Sequence, residues 1–232
     1  MKIRNILITL VSAIALLIST STVSFAKVVG DKIILGAAVS LTGKYSSNGV
    51  HTQNGYNLAV ERINSMGGVK VGGKTYKFDI IYYDDESNSG RAAQLAERLI
   101  QQDGVQFMLG PYSSGLTKAM APVTEKYQVP MVEANGASRS LFTKGYKYLF
   151  AVLAPANLYL DVAIDLAVEK NGGKPVKIAM AFEQDAFSQD VRLGILDAAK
   201  RTDRKSTRLN SSHSQQSRMP SSAWKQKKKN TK

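Results

Sequence analysis

Two short polar segments of the 232-residue chain combine serine hydroxyls with glycines in a pattern suited to holding an anion. Residues 109–115 (LGPYSSG) lie between a predicted strand and a predicted helix, which puts Ser113 and Ser114 at a helix N-terminus. Residues 135–138 (NGAS) follow the next predicted strand. Unpaired N–H groups at a helix start, together with the helix dipole, stabilise a carboxylate. Plain helix capping by Ser113 or Ser114 is the alternative, but two such loops at neighbouring strand ends favour a ligand site.

A third glycine-rich segment fits a phosphate-binding pattern in its letters but not in its context. Residues 68–75 (GVKVGGKT) match G-x-x-x-x-G-K-T and place Lys74 in the lysine position. A predicted helix precedes this segment and a strand follows it, which is the reverse of the order that phosphate binding requires. A glycine helix stop followed by a turn explains the residues. Nucleotide hydrolysis through Lys74 remains a minor hypothesis, which Lys74→Ala would test.

Catalytic and metal-binding patterns are weak in this chain. The acidic segment at residues 84–88 (DDESN) is not followed by the glycine and the carboxylate that an EF-hand requires at its sixth and twelfth positions. The chain has no cysteine, only two histidines (His51 and His213), and no G-x-S-x-G motif. Paired carboxylates stay an open alternative, although nothing in the sequence positions them. We therefore expect no enzyme, no metal and no cofactor.

Predicted strands alternate with predicted helices along the chain. The strands are expected at residues 32–39, 77–83, 105–109, 129–132, 148–152 and 176–181, and the helices at residues 49–66, 92–102, 114–127, 158–169 and 191–200. This alternation predicts an α/β fold, with a parallel sheet covered by helices on both faces. In such sheets ligands bind at the carboxyl ends of the strands, where both polar segments lie.

The first 26 residues have the three-part pattern of a secretory signal peptide. Lys2 and Arg4 precede an apolar run at residues 6–18. That run is shorter than the roughly 20 residues that span a bilayer as a helix. Small side chains one and three positions before the cut predict cleavage after Ala26. We expect a periplasmic protein, and an uncleaved membrane anchor is the alternative.

Residues 203–232 have no apolar periodicity and end in a lysine-rich run. Parts of this segment resemble a translated sequencing adapter, so we expect a non-native, disordered tail and exclude it from the fold. A natural basic tail that contacts an anionic polymer is the alternative. Because much of the formal net charge of +13 lies in this tail, the charge does not indicate nucleic-acid binding.

Six motifs occur in an order that resembles a known protein family. They are AVSLTG at 38–43, NSMGGV at 64–69, YDDE at 83–86, GPYSS at 110–114, NGAS at 135–138 and GYKY at 145–148. Together they resemble the N-terminal half of the type I periplasmic substrate-binding proteins of ABC importers, in the leucine/isoleucine/valine-binding branch. The resemblance implies a Rossmann-like lobe I at residues 27–153 and an incomplete α/β lobe II that starts at residues 154–202.

The same resemblance implies which residues contact the ligand. In this family the serine matching Ser114 binds the ligand carboxylate, and the loop matching Ala137 and Ser138 contacts its carboxylate and ammonium groups. An aromatic residue matching Phe187 closes over the ligand, and where relatives have tyrosine Phe187 lacks the hydroxyl. The residue matching Asn48 lines the first-lobe side in some members. The predicted ligand-binding residues are Asn48, Ser113, Ser114, Gly136, Ala137, Ser138 and Phe187.

The function implied is that of an extracytoplasmic solute-binding protein. It would capture an amino acid or a related small carboxylate-bearing solute and deliver it to an ABC permease in the inner membrane, here as a truncated fragment. A ligand-sensing lobe of a periplasmic receptor is the alternative. We expect a monomer with no nucleic-acid partner. We also expect weak binding or misfolding of the truncated chain, because an incomplete second lobe exposes apolar faces.

Overall fold

The computed structural model describes residues 27–174 and 176–202. Within them the strands are β1 (Val28–Val29), β2 (Lys32–Val39), β3 (Val69–Val71), β4 (Lys74–Asp84), β5 (Met108–Leu109), β6 (Met131–Glu133) and β7 (Leu149–Ala151). The α-helices are α1 (Ser46–Ser65), α2 (Ser89–Gln101), α3 (Ser114–Lys126), α4 (Asp161–Lys170) and α5 (Ala186–Thr202). The signal peptide expected at residues 1–26 and the tail expected at residues 203–232 lie outside the described residues.

The strands form one sheet in the order β3-β4-β2-β5-β6-β7, with β1 antiparallel beside β2. Strand β2 pairs in parallel with β4 on one side and with β5 on the other. Strand β6 pairs in parallel with β5 and with β7. The predicted α/β class with a parallel sheet is therefore confirmed. Because the strand order reverses around β2, the crevice for a ligand is expected at the carboxyl ends of β2 and β5.

The segment that fits the phosphate-loop pattern forms a β-hairpin. Strands β3 and β4 pair antiparallel, and Lys74 is the first residue of β4. Gly72 and Gly73 make the turn with φ of +57° and +81°, a region that glycine adopts without steric cost. No helix follows this turn, so the amide cradle that phosphate binding requires is not formed there.

The main hydrophobic core lies between the sheet and helices α2 and α3. Helix α2 buries Ala92, Leu95 and Leu99, which recur at helical spacing. These residues pack in one cluster with Leu116 and Met120 of α3 and with apolar side chains of β2, β5 and β6. Full burial of a large apolar side chain contributes roughly 1.5–3 kcal/mol, so this cluster fixes α3, and with it Ser114, against the sheet.

Helix α1 lies close to the end of β2 because residue 49 has no side chain. A Cβ on Gly49 would lie 1.8 Å from the carbonyl oxygen of Ser40. The start of α1 is further ordered by the Thr52 hydroxyl, which donates to the carbonyl of Asn48 at 2.9 Å. The first turns of α1, which carry Asn48 and Thr52, are thereby held at the carboxyl edge of the sheet.

Residues 154–202 form a smaller second segment. Ile164 of α4 packs with Ile195 and Ala198 of α5 in a separate hydrophobic cluster. The strand predicted at residues 176–181 is not formed, since only Ala179 makes an isolated bridge. A strand needs a neighbour for its backbone hydrogen bonds, and among the described residues all seven paired strands lie within residues 28–151. Residues 154–202 are thus mainly helical, and their assignment to a second lobe stays a prediction.

Side-chain caps explain why two helices begin earlier than predicted. The Asn88 side chain accepts a hydrogen bond from the N–H of Arg91 at 3.0 Å, so α2 begins at Ser89. The Asp185 side chain accepts from the N–H of Phe187 at 2.8 Å, and α5 begins at Ala186. Among the helices in residues 27–174 and 176–202, none is both long and apolar enough to cross a lipid bilayer.

Candidate ligand-binding site

The loops that follow β5 and β6 meet at a hydrogen bond between two serines. The backbone N–H of Ser138 donates to the hydroxyl oxygen of Ser114 at 3.0 Å. Ser114 is the first residue of α3, and Ser138 directly precedes a single 3-10 turn. Because β5 and β6 are parallel neighbours, their carboxyl ends lie at the same edge of the sheet. The two polar segments singled out in the sequence are thus side by side, and this contact is called the serine junction below.

Ser113 enters α3 in a strained backbone conformation. Its φ is +81° and its ψ is 145°, a combination that residues with a side chain rarely adopt. The Ser113 hydroxyl accepts from the N–H of Leu116 at 3.3 Å, and its carbonyl accepts from the N–H of Thr117 at 3.1 Å. Strain of this kind costs about 1–3 kcal/mol and clusters at ligand-binding sites. The capping bonds hold the residue in place against that cost.

A buried acid that the sequence analysis did not identify organises the loop after β6. The side chain of Glu133 is fully buried. Its Oε1 accepts from the N–H of Asn135 at 2.6 Å and of Gly136 at 2.7 Å. Its Oε2 lies 2.6 Å from the hydroxyl oxygen of Thr117 on α3. Burial raises the pKa of Glu133 to about 7, although the hydrogen bonds act in the opposite direction.

The glycines of both loops leave room for this acid and for its partner. A Cβ on Gly110 would lie 2.2 Å from Oε2 of Glu133, and a Cβ on Gly136 would lie 2.4 Å from the hydroxyl oxygen of Thr117. The carbonyl of Gly110 accepts from the phenol of Tyr56 at 2.8 Å, which ties α1 to the same loop. In the fold these glycines provide the space in which the two loops interlock.

An open cleft of about 460 Å³ adjoins the serine junction. It is lined by Asn48, His51, Thr52, Gly55, Tyr56, Tyr112, Ala134 and Asn135. These residues come from the first turns of α1 and from the loops after β5 and β6. Burial raises the pKa of Tyr56, as does the neighbouring Glu133, so the phenol remains a hydrogen-bond donor. Aromatic rings, amides and hydroxyls around a concave surface can hold a small polar solute.

Of the seven predicted ligand residues, one lines this cleft and five belong to the two loops that border it. Asn48 lines it, and the other five are grouped at the serine junction: Ser113, Ser114, Gly136, Ala137 and Ser138. Ser114 is 2% exposed and Ser138 is 0% exposed. The carbonyl of Ala137 accepts from the N–H of Ala156 at 2.7 Å. The junction is therefore buried, while Tyr112 and Asn135 of the same loops face the cleft.

Phe187, the predicted aromatic lid, lies elsewhere. It stands in the first turn of α5 and packs edge-on against Tyr159, with the ring centres 5.5 Å apart. It lines a second cavity of about 620 Å³, together with apolar residues of α4 and α5 such as Ile164 and Ile195. Phe187 thus lines a different cavity from Asn48, and it stands one helical turn before Asp190, which contacts Ser138.

The second segment reaches the serine junction through Asp190 of α5. The Ser138 hydroxyl donates to Oδ2 of Asp190 at 2.6 Å, and the N–H of Ser140 donates to the same oxygen at 3.3 Å. The hydroxyl oxygens of Ser138 and Ser140 are 2.7 Å apart. A hydroxyl predicted to hold a ligand carboxylate thus holds a carboxylate of the chain itself. Asp190 was not among the predicted site residues, because a single acid within a helix has no distinguishing pattern.

The acidic turn after β4 has a structural role. Oδ1 of Asp84 accepts from the N–H of Leu41 at 2.9 Å, which joins the ends of β4 and β2. Oδ1 of the buried Asp85 accepts from the hydroxyl of Ser40 at 2.6 Å and from the N–H of Ser87 at 2.8 Å. Burial raises the pKa of Asp85. Both carboxyl groups thus tie the turn after β4 to the loop after β2.

A parallel α/β lobe with a polar cleft at the carboxyl ends of its strands belongs to the class of folds that bind small solutes. The sequence profile of the family described as periplasmic binding protein matches residues 32–228. The match covers most of the chain, which therefore belongs to this family.

Two curated relatives indicate the branch of the family. A leucine-, isoleucine-, valine-, threonine- and alanine-binding protein of Pseudomonas aeruginosa is 25% identical over 170 residues, which are 72% of this chain and 44% of that protein. A Leu/Ile/Val-binding protein homolog of Brucella melitensis is 25% identical over 180 residues, which are 78% of this chain and 46% of that protein. The chain thus spans less than half the length of these relatives. By their names these relatives are binding proteins and not enzymes.

Solved structures confirm the type I periplasmic binding protein fold. The branched-chain amino acid substrate-binding protein LivJ of Streptococcus pneumoniae, in complex with isoleucine, aligns with a TM-score of 0.63 at 23% identity over 86% of this chain and 55% of that one. A solute-binding protein of an ABC transporter from Rhodopseudomonas palustris, in complex with 4-hydroxybenzoate, also aligns with a TM-score of 0.63 at 23% identity. That second alignment covers 78% of this chain and 46% of the other.

Proposed function

We propose that this chain is the ligand-binding lobe, with the start of a second lobe, of an extracytoplasmic solute-binding protein. It captures an amino acid or a related small carboxylate-bearing solute and delivers that solute to an ABC permease. The observation that carries the proposal is the contact of Asp190 with Ser138 and Ser140 beside the open cleft. These donors already hold one carboxylate, and the same hydrogen bonds suit the carboxylate of a ligand.

The chemistry of the cleft supports a small organic acid as the ligand. Isoleucine and 4-hydroxybenzoate, which are bound in the two structural neighbours, share a carboxylate and differ in their apolar parts. Tyr56 and Tyr112 provide aromatic surface, and Asn48 and Asn135 provide amide groups. We infer that the ligand places its carboxylate towards the serine junction and its remaining groups among these side chains.

Binding at the serine junction requires that α5 moves away from it. In the described arrangement the Ser138 hydroxyl donates its hydrogen bond to Asp190, and the junction is buried. We propose that residues 27–153 form one lobe and residues 154–202 begin the other, with a ligand entering when the lobes separate. The two separate hydrophobic clusters, one in each range, support this division.

The proposed location is the periplasm. The pattern of residues 1–26 supports export and cleavage after Ala26, and the composition of residues 203–232 supports a non-native tail. N-terminal sequencing of the exported protein tests the first point, because the mature chain is expected to start at Lys27. A mature chain that retains Met1 would contradict cleavage.

Calorimetric titration of the full chain with pairs of acids and amides tests the proposed function. The pairs are L-isoleucine with L-isoleucinamide, and 4-hydroxybenzoate with 4-hydroxybenzamide, so that each pair differs only at the carboxylate. We expect at least one acid to bind and its amide to bind much more weakly, because the amide lacks the charge that the donors at the junction stabilise. Equal binding of both members of a pair, or no binding of either acid, would contradict the proposal.

A further inference from the structure

A hydrogen-bond network centred on two fully buried side chains joins the two loops of the serine junction. The hydroxyl oxygen of Thr117 lies 2.8 Å from the carbonyl oxygen of Ser113 and 2.6 Å from Oε2 of Glu133. Thr117 and Glu133 are both 0% exposed. Ser113 belongs to the loop after β5, and Glu133 ends β6 and holds the loop that follows it. Thr117 therefore stands between the two loops.

The number of hydrogens in this network depends on the charge of Glu133. A threonine hydroxyl has one hydrogen to donate, and a backbone carbonyl only accepts. Two hydrogen bonds at Thr117 therefore need a second hydrogen, and the only other partner that can supply it is the carboxyl group of Glu133. When this group is protonated, it donates to Thr117, which in turn donates to Ser113. When it is ionised, the Thr117 hydroxyl can donate either to the carbonyl of Ser113 or to Oε2 of Glu133. The other pair of oxygens is then close together without a hydrogen between them, and they repel each other.

The backbone hydrogen bonds to the second carboxyl oxygen lower the pKa of Glu133, but less than burial raises it, and they are also possible in the protonated state. Oε1 accepts from the N–H groups of Asn135 and Gly136, and the carbonyl oxygen of a neutral carboxylic acid can accept both bonds. All the short contacts of the Glu133 side chain are thus hydrogen bonds in the protonated state. Burial raises the pKa of Glu133 to about 7. The side chain therefore changes between the protonated and the ionised state near neutral pH.

The charged groups around the network do not favour an ionised Glu133. On α1 the phenol of Tyr56 faces it and is neutral, because burial raises the pKa of Tyr56. On α5 the carboxylate of Asp190 bonds to Ser138 of the loop that Glu133 supports. Among the ion pairs of the described residues, none includes Glu133. His51 lines the adjoining cleft, where it is exposed.

We propose that Glu133 is a positioning residue whose protonation joins the loops after β5 and β6, so that binding of a carboxylate ligand at the cleft is coupled to retention of one proton. The inference rests on the proposed function. Two effects act in the same direction. The neutral acid completes the hydrogen bonds that shape both loops, and it removes a buried negative charge that would repel the head group of the ligand.

Affinity for L-isoleucine and for 4-hydroxybenzoate is therefore expected to fall as pH rises. Calorimetric titrations of the full chain between about pH 6 and about pH 8.5 bracket the expected transition. Above the pKa of Glu133 the dissociation constant should rise by up to about tenfold for each pH unit, the limit for one coupled proton. An affinity that stays flat over this range in the wild-type chain would overturn the inference.

Glu133→Gln tests the effect of protonation while keeping the shape of the side chain. The Gln side chain donates through its amide group to Thr117 and accepts at its oxygen from the two backbone N–H groups, so it reproduces the neutral acid permanently. Its affinity should match the low-pH wild type and stay constant across the range. Glu125→Gln is the matched control, because Glu125 accepts from the N–H groups of Lys147 and Tyr148 outside the cleft. The control should retain the pH dependence of the wild type.

Thermal unfolding of the same variants gives a measurement that needs no ligand. The folded-state pKa of about 7 lies above that of an unfolded glutamate, about 4.3. The folded chain then keeps a proton that the unfolded chain releases, so stability relative to Glu133→Gln should fall as pH rises between these values and level off above. If the two proteins share one pH profile, the protonation network is overturned. If the stability profile is as expected but neither acid binds, the proposed function and the coupling to ligand are overturned.

Discussion

The hydroxyl oxygen of Ser114 lies 3.0 Å from the backbone nitrogen of Ser138, although the two residues are 24 positions apart in the chain. The parallel pairing of β5 with β6 brings the two loops to the same edge of the sheet, and the hydrogen bond locks them together. The amides and hydroxyls around this bond already hold one carboxylate, that of Asp190. This relationship is the structural basis of the proposed carboxylate site.

Ser114→Ala should weaken both the loop contact and ligand binding. The substitution leaves the N–H of Ser138 buried without its acceptor, which costs about 1–3 kcal/mol. Calorimetry with L-isoleucine or 4-hydroxybenzoate and thermal unfolding should both register the loss. Ser89→Ala is the matched control, because Ser89 is also the first residue of a helix but is exposed. An unchanged affinity in Ser114→Ala would remove this residue from the site.

Ser113 offers a test of the strained backbone. Ser113→Gly should be neutral or slightly stabilising, since glycine adopts a φ of +81° freely and is an acceptable helix cap. Ser113→Ala keeps the strain and loses the cap, so its free energy of unfolding should fall by about 1–2 kcal/mol. Chemical denaturation of both variants gives the comparison. The prediction fails if the alanine variant is as stable as the glycine variant.

Gly110→Ala should destabilise the chain by overpacking the buried acid. The new Cβ would lie 2.2 Å from Oε2 of Glu133, and overpacking of this kind costs about 1–3 kcal/mol. Gly55→Ala is the control, because a Cβ there meets nothing within 4 Å. It should raise helix stability by roughly 0.5–1 kcal/mol. Equal melting temperatures for the two variants would contradict the packing described around Glu133.

Asp190→Ala should release the contact between α5 and the serine junction. Loss of hydrogen bonds to a carboxylate costs roughly 1.5–3 kcal/mol, and less where the group is partly exposed. We expect faster proteolysis within residues 154–202 and tighter binding of 4-hydroxybenzoate, because a competing carboxylate is gone. Asp197→Ala, on the same helix, removes only an exposed ion pair with Lys200 and should change neither. Weaker binding in Asp190→Ala would indicate that Asp190 assists the ligand.

Sequence patterns predicted most strands and helices of residues 27–153 and the two serine-containing loops of the candidate site. The apolar run of β2 and the regular spacing of Leu95 and Leu99 on α2 are strong local signals. The ordering of the two serine loops followed from the same alternation of strands and helices. Local patterns were sufficient there because neighbouring parallel strands bring their ends together whatever the details of packing.

The remaining features depend on tertiary contacts that leave no local signal. Glu133 was missed because an acid at the end of a short strand ordinarily indicates exposure, and its burial depends on the absence of a side chain at Gly110. The strand predicted at residues 176–181 has the right composition but no paired neighbour in the described residues. Phe187 was assigned by resemblance, and its position against Tyr159 follows from the packing of the second segment.

A titration of the isotope-labelled full chain with 4-hydroxybenzoate, followed through its backbone amide resonances, tests the central claim most directly. We predict that the largest shifts belong to Tyr112, Asn135 and Ser138, which surround the cleft and the serine junction. Shifts confined to residues such as Phe187 and Ile195, which line the cavity between α4 and α5, or no shifts at all, would contradict a carboxylate site at the junction of the two loops.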